Sequence, residues 1–149
     1  MVRRMGAVLV TVSVSIGLGV IGVAARQTPQ PSPSGTGWQL PADADDTKNP
    51  LTVDAKVLAA GKSLYKDKCQ RCHGASGLGD GPDGDPESMA DMDLTNPKRT
   101  ARNSDGIVFY KVWNGRKKPK MPGLKDELAE EQVWAVVSHV QTLRKPAAK

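Results

Sequence analysis

Cys69, Gln70, Arg71, Cys72 and His73 stand together as CQRCH, and they hold both cysteines of this 149-residue chain and one of its two histidines. Two thiols three positions apart can reach neighbouring points on one flat partner. An imidazole in the next position can then bind a metal at that partner's centre, and this is the spacing that attaches a c-type haem. A dithiol redox pair, half of a zinc site and a structural disulfide are the other uses of two cysteines so spaced. The dithiol wants a preceding strand in a βαβ setting, whereas DAKVLAAGKSLYKDK repeats its apolar residues at helical spacing. A four-ligand zinc site needs two more ligands, and only His139 remains.

From this motif onward the chain resembles the class I cytochromes c, and CHGASGLGDGP is similar to a common bacterial subgroup of them. The resemblance implies one haem c joined covalently to Cys69 and Cys72, with His73 as an axial ligand of its iron. It also implies that the Pro82 carbonyl accepts the imidazole proton, which would orient His73 and raise its basicity. The family commonly carries its second ligand as a Met-Pro pair ahead of the last helix. Met121, between Pro119 and Pro122, fits that place. Met89 and Met92 lie too near His73 in the chain to cross to the other face of a haem and are expected to fill gaps beside it. His139 is expected on the solvent side of the last helix. For the two negative propionates, Arg99, Arg102 and Trp113 are the candidate partners.

The implied fold is all-α: three to five helices wrapped round one covalent haem, loop-rich, with no significant sheet. A helix over 54–68 is predicted, capped by Asp54 or Thr52, with Val57, Leu58, Gly61, Leu64 and Tyr65 on one face. In the resembled family a glycine and an aromatic so spaced cross the last helix, which is predicted over 127–144. Trp134 is the expected partner of Gly61, and Asp126 the expected cap in place of Ala129. Pro146 stops the helix beyond Arg144 and Lys145. Ser104 and Gly115 bracket a shorter helix over 105–114. The 74–97 stretch is rich in glycine and proline and is expected to lack long regular structure. With few aromatic residues between Pro50 and Pro146, the porphyrin would supply much of the core, and a domain this small is marginal without it.

Four segments follow from composition: 1–26 an export signal or membrane anchor, 27–50 a linker, 51–146 the haem domain and 147–149 a tail. Arg3 and Arg4 precede an uncharged run, Met5 to Ala25, that ends in small residues before Arg26. Such a run suits a cleaved signal and is also close to the about 20 residues a membrane helix needs. Both readings put the haem domain on the periplasmic side, free or anchored. The prolines of the 27–50 stretch argue against a packed core there; extended, it reaches on the order of 70 Å. Trp38 is its one large apolar residue, open to docking or exposure.

Loss of Arg3, Arg4 and Arg26 lowers the formal charge from +5 by three, to +2, since every acidic residue lies downstream. That near balance, with no recognisable binding motif, excludes nucleic acid. Arg116, Lys117, Lys118 and Lys120 form a basic run before Met121, suited to steer acidic redox partners into docking. The expected function is one-electron transfer between membrane or periplasmic redox enzymes with His/Met axial ligation, by a carrier and not an enzyme. The alternatives are a haem subunit of an oxidoreductase complex, a gas-binding protein or a peroxidase-like one.

Overall fold

The computed structural model describes residues 32–33 and 37–144; the expected export segment, part of the 27–50 stretch, Lys145, Pro146 and the tail lie outside the described residues. Helix α1 (Ala55–Lys68) starts where Asp54 turns its carboxylate onto the Val57 amide, 2.8 Å away, satisfying one of the donors that a helix start leaves unpaired. A one-residue step at Cys69 leads to α2 (Gln70–His73). Single turns follow, a 3₁₀ turn at Pro86–Ser88, α3 (Met89–Met92) and α4 (Pro97–Thr100), so the 74–97 stretch is short-turned and not wholly irregular. Helix α5 (Asp105–Asn114) carries the expected Ser104 cap and Gly115 stop. Helix α6 (Glu130–Leu143) closes the fold. The two-residue strands β1 (Ser32–Pro33) and β2 (Gln39–Leu40) pair antiparallel, and the architecture is all-α as expected.

Helix α6 begins three residues later than predicted. Leu124–Leu128 forms a separate turn in which Leu128 N donates to Leu124 O at 2.9 Å. Asp126 does not cap the helix. Ala129 has no side-chain acceptor, and Gln132 instead reaches back to accept from the Ala129 amide at 2.9 Å, which is half of a capping box.

The most extensive helix contact is α1 on α6. Val133, Val136 and Val137 are fully buried there and beside α5, each worth about 1.5–3 kcal/mol of burial. Gly61 permits the crossing, but its partner is not Trp134: a methyl at Gly61 would overlap the Ala135 backbone carbonyl. Trp134 faces α5 and stacks on Phe109 with centroids 4.3 Å apart. The crossing also buries His139, 9 % exposed and edge-on to Tyr65 at 5.2 Å; burial, then Lys62, lowers its pKa. His139 is therefore an interhelical residue and not the solvated one expected, because α1 covers a wider sector of α6 than the valine stripe.

Part of the stretch expected to be a linker is packed. Ala44 is 3 % exposed, and its carbonyl sits so close to Gly106 of α5 that a side chain there would overlap it. Asn49 Nδ2 donates to Ser138 Oγ at 2.9 Å, tying the segment to α6.

Gly61→Ala tests the crossing. Alanine gains about 1 kcal/mol in helix propensity, while overpacking against a backbone carbonyl costs about 1–3 kcal/mol. Guanidinium unfolding is expected to show a net loss; a raised midpoint contradicts the close approach.

Candidate functional site

Helix α1 ends by delivering CQRCH as a tight turn: the amides of Cys72 and His73 both donate to Cys69 O, at 3.2 and 3.0 Å. Tyr65 lies one turn before Cys69 and donates its hydroxyl to the Gly74 carbonyl at 2.8 Å, inside the core. The turn is thereby fixed at both ends. Arg71 O accepts from Asp83 N at 2.8 Å, and the Arg71 guanidinium pairs with the Asp83 carboxylate at 2.6 Å, which folds the glycine-rich loop back over the motif.

Cys69 and Cys72 are unbridged. Burial, then Cys72 and Asp67, pushes the Cys69 thiol up to about 12, whereas a dithiol redox pair needs a lowered pKa. Among the described residues no three His, Cys, Asp or Glu side chains gather as a metal site. Burial lowers the His73 pKa, partly opposed by the Met92 carbonyl 2.8 Å from Nδ1, with Arg116 lowering it further. The neutral ring keeps its other nitrogen for a metal. Met92 O thus stands where Pro82 was expected, while Pro82 itself is exposed and off the cavity wall.

The three motif side chains border a cavity of about 670 Å³, within the range of small-molecule and cofactor sites. Leu94, Val108, Val136 and Val140 make part of its wall apolar, and Met92 and Met121 also line it. The Met121 loop is fastened to the end of α5. Arg116 and Met121 exchange backbone hydrogen bonds at 2.8 and 2.9 Å, and Leu124 N donates to Val112 O at 2.9 Å. Gly115 starts this loop at φ 66°, where a Cβ would overlap the Met121 carbonyl, a position that strains any other residue. Met89, by contrast, is 45 % exposed and does not line the cavity.

One end of the cavity is cationic: Arg99, Lys111, Arg116 and Arg144 line it, with Asp91 bonded to Arg99 and 3.5 Å from Arg116. Arg144 Nε is buried without a partner. Burial, then Arg116, Arg99, Arg102 and Arg144, pushes the Lys111 ammonium down to about 8. An apolar wall, two cysteines with an adjacent imidazole, and a cationic end with an unpaired donor fit a macrocycle that carries two carboxylates.

Of the residues expected to meet the propionates, Arg99 lies at this end. Arg102 lines only a neighbouring cavity of about 580 Å³. Trp113 lines neither; it stacks on Phe109 at 5.6 Å in the core. Arg116 opens the basic run in sequence, but its side chain is only 11 % exposed and turns inward, leaving Lys117, Lys118 and Lys120 on the surface. The sequence places Arg144 only at the end of the last helix and does not single out Lys111, because the two are distant in the chain. A usable signal existed for Lys111, a single cation within the apolar run IVFYKVW.

Residues 58–144 match the cytochrome c family, and the chain belongs to that family, whose members carry a covalent c-type haem. Among solved structures it is similar to a KustC0563 c-type cytochrome (27% identity over 57% of this chain and 98% of that one, TM-score 0.49). It is also similar to a chain of the Kuenenia stuttgartiensis reducing HAO-like protein complex Kustc0457/Kustc0458 (26% identity, TM-score 0.51), covering 66% of this chain and half of that one. No curated protein matches the chain. Among the described residues no helix is long and apolar enough to cross a membrane.

Tyr65→Phe leaves the Gly74 carbonyl without its donor, a loss of about 1–3 kcal/mol. Burial, then Cys69 and Asp80, holds the Tyr65 phenol well above its ordinary value of 10.0. The folded state therefore ionises later than the unfolded one, so this contribution is present below pH 10 and is lost as pH rises above it. Unfolding midpoints measured across this range are expected to fall less steeply on the alkaline side for Tyr65→Phe than for the unmodified protein. An equally steep fall contradicts the assignment.

Proposed function

We propose that the protein is a one-electron carrier in which Cys69 and Cys72 hold one haem c by thioether bonds and His73 and Met121 occupy the two axial positions of its iron. The observation that carries this reading is that all four side chains border one cavity in a chain of the cytochrome c family. Bound there, the haem supplies a one-electron ferric–ferrous couple. The residues of the chain do the rest. The Met92 carbonyl orients His73, the Gly115–Gly123 loop holds the Met121 thioether against the wall, and the apolar side chains exclude water. A filled sixth position leaves no site for substrate, which separates a carrier from a gas-binding or peroxidase-like protein. Thioether ligation favours ferrous iron and raises the potential above that of a bis-histidine haem. Lys117, Lys118 and Lys120 offer a positive rim to acidic redox partners.

A second reading, a haem-bearing part of a larger redox complex, is favoured by the similarity to a chain of the HAO-like complex. Stoichiometric co-purification of a catalytic partner would favour it over the free carrier. The Arg3–Arg4 flank and the uncharged run behind it support export, with the haem domain on the periplasmic side. Amino-terminal sequencing of exported protein separates a cleaved signal, starting near Arg26, from a retained anchor; a wholly cytoplasmic product contradicts export.

Met121→Ala tests the ligand set. The unmodified ferric protein is expected to show the weak near-infrared band of sulfur ligation and, once reduced, to bind carbon monoxide poorly. The variant should lose the band, bind carbon monoxide readily and fall in potential. Met89→Ala should change none of these. A six-coordinate Met121→Ala spectrum, or rapid carbon monoxide binding by the unmodified protein, contradicts the assignment.

A further inference from the structure

Trp38 belongs to the segment that precedes the haem domain, yet it borders both the 670 Å³ cavity and the neighbouring 580 Å³ one. Its ring is the face on which two of the cavity's cations rest. The Arg116 guanidinium carbon lies 4.4 Å from the ring centroid and the Lys111 ammonium 5.1 Å, both within the range of a cation–π contact. The segment is fastened on either side of the ring. Asn114 Nδ2 donates to Gln39 O at 2.8 Å, Gly37 lies beside the Lys118 carbonyl, and Ala44 is seated on α5 at Gly106.

The cations at this end are under-compensated. Asp91 is the one carboxylate among the described residues lining the smaller cavity, against Arg99, Arg102, Lys111, Arg116 and Lys118. Lys111 donates to the amide oxygen of Asn103, a neutral partner. Burial first, and then the neighbouring Arg116, Arg99, Arg102 and Arg144, lower the Lys111 pKa. A ring face orients a guanidinium without consuming its in-plane N–H groups. Of the five donors on Arg116, Nε goes to Pro119 O at 3.0 Å and one terminal nitrogen faces Asp91. The remaining N–H groups are spare for a further acceptor.

We propose that the segment Gly37–Leu40 is part of the haem site, with Trp38 closing the cationic end of the cavity and holding Arg116 and Lys111 to pair with the two haem carboxylates. The proposal rests on the haem reading above and deepens it. Trp38 is a positioning residue: it acts on the haem through the two cations. Cations held close to the haem and shielded from water favour its ferrous form, which carries one less positive charge. Loosening them therefore lowers the potential.

Potentiometric titration of haem-bearing Trp38→Leu and Trp38→Phe, beside the unmodified protein and Lys56→Gln, tests this. Leucine keeps an apolar cover but has no ring face; phenylalanine keeps the face. Trp38→Leu is expected to lower the ferrous-to-ferric ratio at a fixed ambient potential about threefold, roughly 30 mV for a one-electron couple, and to make the potential more sensitive to salt. Trp38→Phe should retain most of the original value. Lys56→Gln, an exposed charge on α1, should change nothing. An unshifted Trp38→Leu, or equal losses in the leucine and phenylalanine variants, overturns the strap. Denaturing mass measurement on each sample separates the two readings: a chain without haem contradicts the haem reading, whereas a haem-bearing chain with an unshifted Trp38→Leu sinks only the strap.

Discussion

The close crossing of α1 and α6 at Gly61 and Ala135 is the constraint on which the rest depends. It sets where α1 ends, and α1 ends in the residues with the chemistry. With its backbone against the Ala135 carbonyl, α1 buries Tyr65 beside His139, and the Tyr65 hydroxyl then fixes the turn after His73 through Gly74. A displaced crossing would shift Cys69, Cys72 and His73 together relative to the wall that carries Met121. On that far side α5 does the equivalent work, since the Met121 loop hangs from its last turn through Val112 O and the Arg116–Met121 backbone pair.

The cavity between these two supports divides into parts with different physics. Its apolar wall of Leu94, Val108, Val136 and Val140 suits the face of a macrocycle, and a macrocycle filling it would exclude water and strengthen the electrostatic interactions beside it. Its cationic end gathers charges from α4, α5, the loop after α5 and the end of α6, all near Lys111, with Asp91 bonded to Arg99 and 3.5 Å from Arg116. Such crowding costs stability in the polypeptide alone and is relieved by an anionic partner. The haem is thus expected to stabilise this domain in two ways, by filling apolar space and by neutralising one end of it.

Much of this was legible in the residues. CQRCH stood out because both thiols and an imidazole fall within five residues, and α1 and α5 were readable because Asp54, Ser104 and Gly115 mark their ends. The start of α6 was not readable in the same way: Ala129 has no capping oxygen, and the Gln132 side chain that substitutes for it works from inside the helix. The burial of His139 and the inward turn of Arg116 were hidden because each depends on a surface brought from elsewhere, α1 in one case and Trp38 in the other. Trp38 was the least legible residue of the candidate site, since proline-rich surroundings read as linker and its seat is built from residues more than seventy positions downstream.

The electron-carrier function requires a haem joined to the polypeptide through Cys69 and Cys72. Intact mass spectrometry of the exported protein under denaturing conditions, followed by peptide mapping, tests that most directly. The expected result is the mass of the chain plus one haem, with all of the added mass on the peptide that carries Cys69 and Cys72. A mass equal to the polypeptide alone, or haem that separates from the chain on denaturation, would contradict it.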